Sequence, residues 1–125
     1  MRTSALERFL RYVQIDTRSD DRSSTSPSTP GQLVLLNLLR SELQALGVAD
    51  ASVNEHGVLM ATVPATTSRP GVPTIGFIAH VDTSPEMPGD NVKPIIHRQY
   101  DGCDLVLPDD PAAVLRVADN PPPAP

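Results

Sequence analysis

The sequence predicts an α/β fold in which two helices pack on a mixed sheet, and three observations support this. Two amphipathic helical patterns open the chain, and several short strand patterns follow them. The run Thr74–Ala79 is almost wholly apolar, as expected of a strand buried on both faces. Polar side chains follow at His80–Pro85, and open α/β sheets place their ligand crevices at the carboxyl ends of such strands. We therefore expect the functional site at this point in the chain.

Two helices are predicted in the first part of the chain. The first runs from about Ser4 to Ile15, because Ser4 and Glu7 form a capping-box signature. The second begins after Thr29, with Pro30 at its first position, and ends at Gly47. We expect the apolar stripe of the first helix to lie in the core and the leucine stripe of the second to pack on the sheet. These stripes are Leu6, Phe9, Leu10 and Val13, and then Leu36, Leu39, Leu43 and Leu46.

Short strands and loops account for the rest of the chain. Residues 51–55 and 58–63 are predicted to form a hairpin about His56-Gly57. The segment Asn91–Tyr100 is predicted to be an extended edge, and Asp104–Leu107 a short strand. Residues 112–118 predict one more short element of undecided type. The polar stretch between the two helices, residues 16–28, predicts a mobile surface loop.

Composition narrows the class of protein. The chain has 125 residues, enough for one domain with a core, and a net charge of −5 without a basic stripe, so we expect no nucleic-acid partner. Cys103 is the only cysteine, which excludes an internal disulfide and a cysteine-based zinc cluster and favours an ordinary small side chain over a nucleophile. No stretch is long and apolar enough to span a membrane. We therefore expect a cytoplasmic protein without a membrane partner.

His80 and Asp82 are the candidate site residues. Side chains two positions apart on a strand point to the same side, so the imidazole and the carboxylate would face one pocket. A neutral imidazole is a common zinc ligand, and a nearby carboxylate can hold its ring and fix its tautomer. The pattern is equally compatible with a hydrogen-bonded strand end that holds no metal. His56 and His97 are expected to be exposed, with metal binding as the alternative.

Several segments in the same order carry a family resemblance. The run Gly76–Pro85, followed by Asn91-Val92-Lys93-Pro94, resembles the peptidase T family of tripeptide aminopeptidases. These enzymes are two-zinc exopeptidases related to aminoacylases and carboxypeptidases. Residues 6–13 and 15–17 resemble the first helix of the family, and residues 27–32 resemble the start of its second helix. The resemblance also implies that the loop after the first helix lies near the mouth of the site.

The resemblance implies roles for the two candidate residues. His80 matches the histidine that binds zinc, and Asp82 matches the catalytic aspartate that steadies this histidine. In the family, the carboxylate that bridges the metals, the other zinc ligands and the general-base glutamate come after the region matched here, in a Gly-Ala-Asp-Asp context and beyond. This sequence lacks that string. The resemblance therefore implies residues 1–120 to be the amino-terminal part of a metallopeptidase catalytic domain, incomplete and inactive alone. Its intact form would use two zinc ions and a small peptide substrate.

Two alternative functions remain open from the sequence. One is a related zinc deacylase or dipeptidase, because the His-x-Asp strand end is shared across the wider family. The other is a non-catalytic α/β module that binds a protein partner through the Pro-rich segment at residues 121–125, which we expect to be a disordered tail.

Overall fold

The computed structural model describes residues 4–119, and its contacts divide the chain into two compact units, Met1–Pro94 and Ile95–Pro125. The first unit contains the helices α1 (Ala5–Tyr12) and α2 (Pro30–Ala45) and the strands β1 (Ser52–Val53) and β2 (Leu59–Met60). The second unit contains the strands β3 (Leu105–Leu107) and β4 (Asp110–Leu115). Helices and sheets are both present, so the predicted α/β class is confirmed. The Pro-rich segment at residues 121–125 lies outside the described residues.

Helix α1 begins as its sequence predicts, but its apolar stripe does not lie in a core. The capping box is formed: Ser4 Oγ accepts from the Glu7 amide at 3.2 Å, and Glu7 Oε2 accepts from the Ser4 amide at 2.6 Å. The predicted burial of the apolar stripe is wrong, since the side chains of Leu6 and Phe9 are 49% and 58% exposed. Glu42 of α2 contacts the polar face of α1 instead.

Three side chains of α1 converge on that one carboxylate. Arg11 donates to Glu42 Oε1 at 2.6 Å, the Tyr12 hydroxyl donates to Oε2 at 2.5 Å, and Arg8 lies 3.2 Å from Oε2. Arg8, Arg11 and Tyr12 are spaced by three and four residues, so they lie on one face of the helix. This polar contact orients α1 on α2 in the first unit.

Helix α2 carries the small core of the first unit. Leu35, Leu36 and Gln32 are buried on its inner face, and the helix contacts β1. The leucine stripe is only partly inward, because Leu46 at its end is exposed. At the start of the helix the backbone passes so close to the Asp16 carbonyl that a Cβ on Gly31 would overlap the carbonyl oxygen. Glycine at this position therefore allows the loop after α1 to lie directly on α2.

The two sheets are antiparallel hairpins rather than the predicted mixed sheet. Strands β1 and β2 pair Ser52 with Met60 and Val53 with Leu59, around a turn in which Gly57 has a φ of 70°. Strands β3 and β4 pair Leu105 with Leu115, with an irregularity between Val106 and Leu107. Strands β1, β2 and β3 lie where strands were expected, and β4 overlaps the element of undecided type. Residues 112–115 of the undecided element therefore belong to a strand.

The predicted strand Thr74–Ala79 is not a strand in this structure. The segment pairs with no other strand among residues 4–119, and Phe77 and Ile78 are 96% and 100% exposed. A strand exists only where a neighbouring backbone receives its hydrogen bonds, so an apolar run alone does not produce one. The predicted edge segment Asn91–Tyr100 is likewise unpaired. Between residues 4 and 119, no helix is long and apolar enough to cross a membrane.

Candidate functional site

The two predicted site residues are in contact at the end of the apolar segment. His80 Nδ1 lies 2.9 Å from the backbone carbonyl oxygen of Asp82 and 3.1 Å from its Oδ1. The pair therefore forms without strand pairing before it, between residues two positions apart. The imidazole is 82% exposed, so the expected buried surroundings of the motif are wrong. The contact between His80 and Asp82 is nevertheless formed.

The contact fixes the tautomer of the imidazole. Both atoms facing His80 Nδ1 are oxygens that only accept hydrogen bonds, so neutral His80 carries its proton on Nδ1. Its Nε2 is then left with a lone pair. A histidine whose Nδ1–H donates to a carboxylate or carbonyl, with Nε2 free to coordinate, is the arrangement by which proteins orient zinc-binding imidazoles. The geometry fits a zinc ligand supported by Asp82.

The residue after Asp82 is held by the loop that follows α1. The Thr83 amide donates to the Thr17 carbonyl at 3.1 Å, and the Ser19 amide donates to the Thr83 carbonyl at 3.0 Å. Together they form an isolated parallel bridge between Arg18 and Thr83. The loop was expected to be mobile, yet Thr17 is buried and its carbonyl accepts from both the Thr83 amide and the Gln32 side chain. The loop therefore lies against the motif, as the family resemblance implied.

An ion pair shapes this loop. The Arg18 guanidinium contacts Asp16 through both carboxylate oxygens, at 3.0 Å from Nε to Oδ1 and 2.7 Å from the terminal nitrogen to Oδ2. The hydrogen bonds from Arg18 hold the pKa of Asp16 below its ordinary value. Arg18 also lies 3.7 Å from Asp90, which connects the loop to the chain beyond the motif.

An open cleft of about 680 Å³ lies beside this loop. It is lined by residues 16 and 18–22 of the loop, residues 29–31 at the start of α2, and Pro85 at the end of the motif. Three aspartates and two arginines of this lining give it both signs of charge. The cleft meets the motif at Pro85 and does not include His80 or Asp82. It is therefore a neighbour of the candidate site rather than its pocket.

The remaining candidate side chains are not brought to the pair. Within residues 4–119, no group of three His, Cys, Asp or Glu side chains is placed to hold a metal ion. His56 is exposed at the hairpin tip and lies 3.6 Å from Glu55, and His97 is exposed in the second unit. Cys103 is exposed, and the Asp101 carboxylate raises the pKa of its thiol. A raised pKa disfavours the thiolate, which supports the expectation that Cys103 is not a nucleophile.

The sequence patterns did not indicate the buried residues that hold the loop next to the His80–Asp82 motif. Gln32 and Thr17 are both buried, and Gln32 donates to the backbone of the loop that binds Thr83. A glutamine near a helix start resembles any polar surface residue in the sequence. The one available signal is that Gln32 lies on the same helical face as the buried Leu35 and Leu36.

Several curated proteins with similar sequences are named peptidase T. A peptidase T from Geobacillus sp. is 50% identical over 121 residues, which is 97% of this chain and 29% of the relative. A peptidase T from Bacillus subtilis is 51% identical over 107 residues, which is 86% of this chain and 26% of the relative. The chain resembles peptidase T. The resemblance inferred from the sequence motifs is thereby confirmed.

The peptidase T relatives are much longer than this chain. A peptidase T from Listeria monocytogenes is 45% identical over 92% of this chain but only 28% of its own length. The chain thus spans less than a third of the peptidase T sequences it matches. No family model matches the chain.

Proposed function

We propose that this chain supplies one zinc ligand and its supporting carboxylate to a zinc-dependent aminopeptidase that removes the amino-terminal residue of tripeptides. The observation that carries the proposal is the contact between His80 Nδ1 and the two oxygens of Asp82, which leaves Nε2 available to a cation. The peptidase T relatives provide the reaction class.

His80 would bind one zinc ion through Nε2, and Asp82 would hold the ring. When bound, zinc polarises a scissile carbonyl and lowers the pKa of a water molecule. The backbone carbonyl oxygen and Oδ1 of Asp82 accept hydrogen bonds from the Nδ1–H of His80, which restricts rotation of the imidazole. The small peptide substrate and the cytoplasmic location expected from the sequence stay predictions.

This chain needs further residues for catalysis. A catalytic zinc site takes about three protein ligands, and the described part of the chain brings no three candidate side chains together. A general base that activates water is also required, and we assign that role to none of the acids described. We therefore expect the 125-residue chain alone to be inactive toward tripeptides.

A chimera provides the sharpest test. The part of Bacillus subtilis peptidase T that matches this chain, 26% of that protein, would be replaced by the corresponding residues of this chain. We expect zinc-dependent tripeptide hydrolysis by the chimera and its loss in the His80→Ala variant. His56→Ala is the matched control, because His56 is an exposed histidine of the same unit.

Two outcomes would contradict the proposal. One is a His80→Ala chimera that keeps the activity of the unsubstituted chimera, which would show that His80 is not a ligand. The other is robust tripeptide turnover by the 125-residue chain with added zinc, which would show that no further ligands are needed. Dipeptides and acylated amino acids, offered to the same chimera, distinguish a tripeptidase from a dipeptidase or deacylase.

A further inference from the structure

We propose that Gln32 is a positioning residue for His80, acting through the Thr17 carbonyl and the peptide group between Asp82 and Thr83. The proposal rests on the proposed role of His80 as a zinc ligand. It concerns a hydrogen-bonded path inside the first unit, from the buried face of α2 to the exposed imidazole.

Gln32 is the buried starting point of this path. Its side chain is only 5% exposed, and its Nε2 lies 3.3 Å from the carbonyl oxygens of both Thr17 and Arg18. The same nitrogen lies 3.1 Å from Ser28 Oγ, and Oε1 accepts from the Ser28 amide at 3.1 Å. Because both ends of the amide are bonded, its orientation is fixed and Nε2 faces the loop carbonyls.

The Thr17 carbonyl transmits this constraint. Thr17 is 3% exposed, and its oxygen accepts one hydrogen bond from Gln32 and a second from the Thr83 amide at 3.1 Å. A carbonyl oxygen has two lone pairs, so both are in use. The oxygen is therefore held in place by α2 and in turn holds the Thr83 amide.

The peptide group between Asp82 and Thr83 completes the path. A trans peptide is planar, with its N–H and C=O directed to opposite sides. Here the N–H donates to Thr17 and the C=O accepts from His80 Nδ1 at 2.9 Å. A single rigid group thus connects the buried loop to the imidazole. Hydrogen bonds in series also polarise one another, so the Thr17 bond strengthens the acceptor that His80 uses.

Changing the donor of Gln32 into an acceptor should loosen the whole path. In the Gln32→Glu variant a carboxylate of the same shape would face two carbonyl oxygens, and like partial charges repel. Thr17 would move away, and the Thr83 amide would lose its fixed acceptor. The Nδ1–H of His80 would then keep only Asp82 Oδ1 as a fixed acceptor, so the tautomer with its proton on Nδ1 would be less strongly favoured.

Nuclear magnetic resonance of the metal-free 125-residue chain tests this without activity. Hydrogen exchange at the Thr83 amide should be about 10-fold faster in Gln32→Glu, which corresponds to about 1.4 kcal/mol. The ¹⁵N chemical shifts of the His80 ring are measured at a pH about two units above the ordinary histidine pKa of roughly 6.5, where the ring is neutral. They should move away from the values of the Nδ1–H tautomer. Gln44→Glu is the control, because Gln44 of α2 also donates to a backbone carbonyl, that of Ala51 at 3.1 Å.

A second variant covers the case in which Gln32→Glu loosens the helix itself. If the Leu36 amide also exchanges about 10-fold faster, Thr29→Val decides. The Thr29 hydroxyl donates to the Arg18 carbonyl at 2.8 Å and makes no helix cap, so its loss affects the loop alone. Exchange at Thr83 about 3-fold faster in Thr29→Val supports the path, and unchanged exchange overturns it.

The proposal is also overturned if the Thr83 exchange rate in Gln32→Glu stays within about twofold of the original, or if the His80 shifts do not move. Neither result depends on zinc or on turnover. A chimera indifferent to His80→Ala would instead contradict the zinc role and leave the measured path intact, so the two failures are distinguishable.

Discussion

The Tyr12 hydroxyl donates a hydrogen bond to Glu42 Oε2 between α1 and α2. Desolvation by burial, and then this carboxylate, raise the pKa of Tyr12 above its ordinary value of 10.0. Because the folded pKa is raised, the stabilisation is complete below the ordinary pKa and is lost as the pH rises through the folded value. The contact is thus a pH-dependent connection between two helices.

Replacing Tyr12 with phenylalanine should destabilise the chain and flatten this alkaline dependence. Removing one hydrogen bond to a charged group costs about 1.5–3 kcal/mol, and less where the group is partly exposed. Urea unfolding at pH 8 and again above pH 10 measures both effects. Tyr100→Phe serves as the control, because Tyr100 is an exposed tyrosine of the second unit. Equal alkaline loss of stability in Tyr12→Phe and the original would show that Tyr12 does not carry it.

Replacing Arg18 with glutamine should return the pKa of Asp16 toward its ordinary value of 3.8. The folded pKa of Asp16 is lowered, so its stabilising effect is present above 3.8 and disappears as the pH falls through the lowered value. A carboxyl-carbon titration of Asp16 measures the shift. Arg22→Gln should leave it unchanged, since Arg22 lies near Asp20 at 3.7 Å. An unaltered Asp16 titration in Arg18→Gln would rule out the ion pair as the cause.

Gly31→Ala should destabilise the first unit by about 1–3 kcal/mol, the usual cost of forcing atoms into a packed position. The added Cβ would overlap the Asp16 carbonyl oxygen, which is backbone and cannot turn aside. Gly76→Ala is the matched control, because a Cβ there would meet nothing within 4 Å. The denaturant midpoints of the two variants give the comparison. Equal midpoints would show that the loop can move away from α2 without loss of stability.

Ile78→Lys should slow aggregation of the chain several-fold. The segment Thr74–Ala79 is uncharged, contains no proline, and exposes Ile78 completely. Such short apolar segments with unpaired backbone are templates for intermolecular strand pairing. Light scattering at fixed temperature measures the lag time, with Val63→Lys as a control at another exposed apolar side chain. If both variants behave alike, net charge rather than this segment sets the rate.

Elements encoded by local signals could be predicted from the sequence. The capping box at Ser4 and Glu7 fixes the start of α1, and Pro30 marks the start of α2, because caps depend on residues a few positions apart. The contact of α1 with α2 could not be predicted, since it is made to Glu42 of another helix. The segment Thr74–Ala79 has the composition of a strand, but pairing requires a partner that composition does not name.

The site divides in the same way. His80 and Asp82 are two residues apart, so their contact could be predicted from the motif alone, although the strand said to aim them is absent. The support from Gln32 and Thr17 could not, because it depends on loop carbonyls that carry no side-chain signature. Residues far apart in sequence are connected at this site through backbone atoms. Periodicity and motif spacing describe side chains and do not indicate such contacts.

The hydrogen bonds of the Asp82–Thr83 peptide group determine which residue types position 83 can hold. The atoms of the group that form its two hydrogen bonds are main-chain atoms, and the Thr83 side chain is exposed. Position 83 can therefore drift among most residue types during evolution without disturbing the imidazole. Proline alone is barred, since it has no amide hydrogen to offer Thr17.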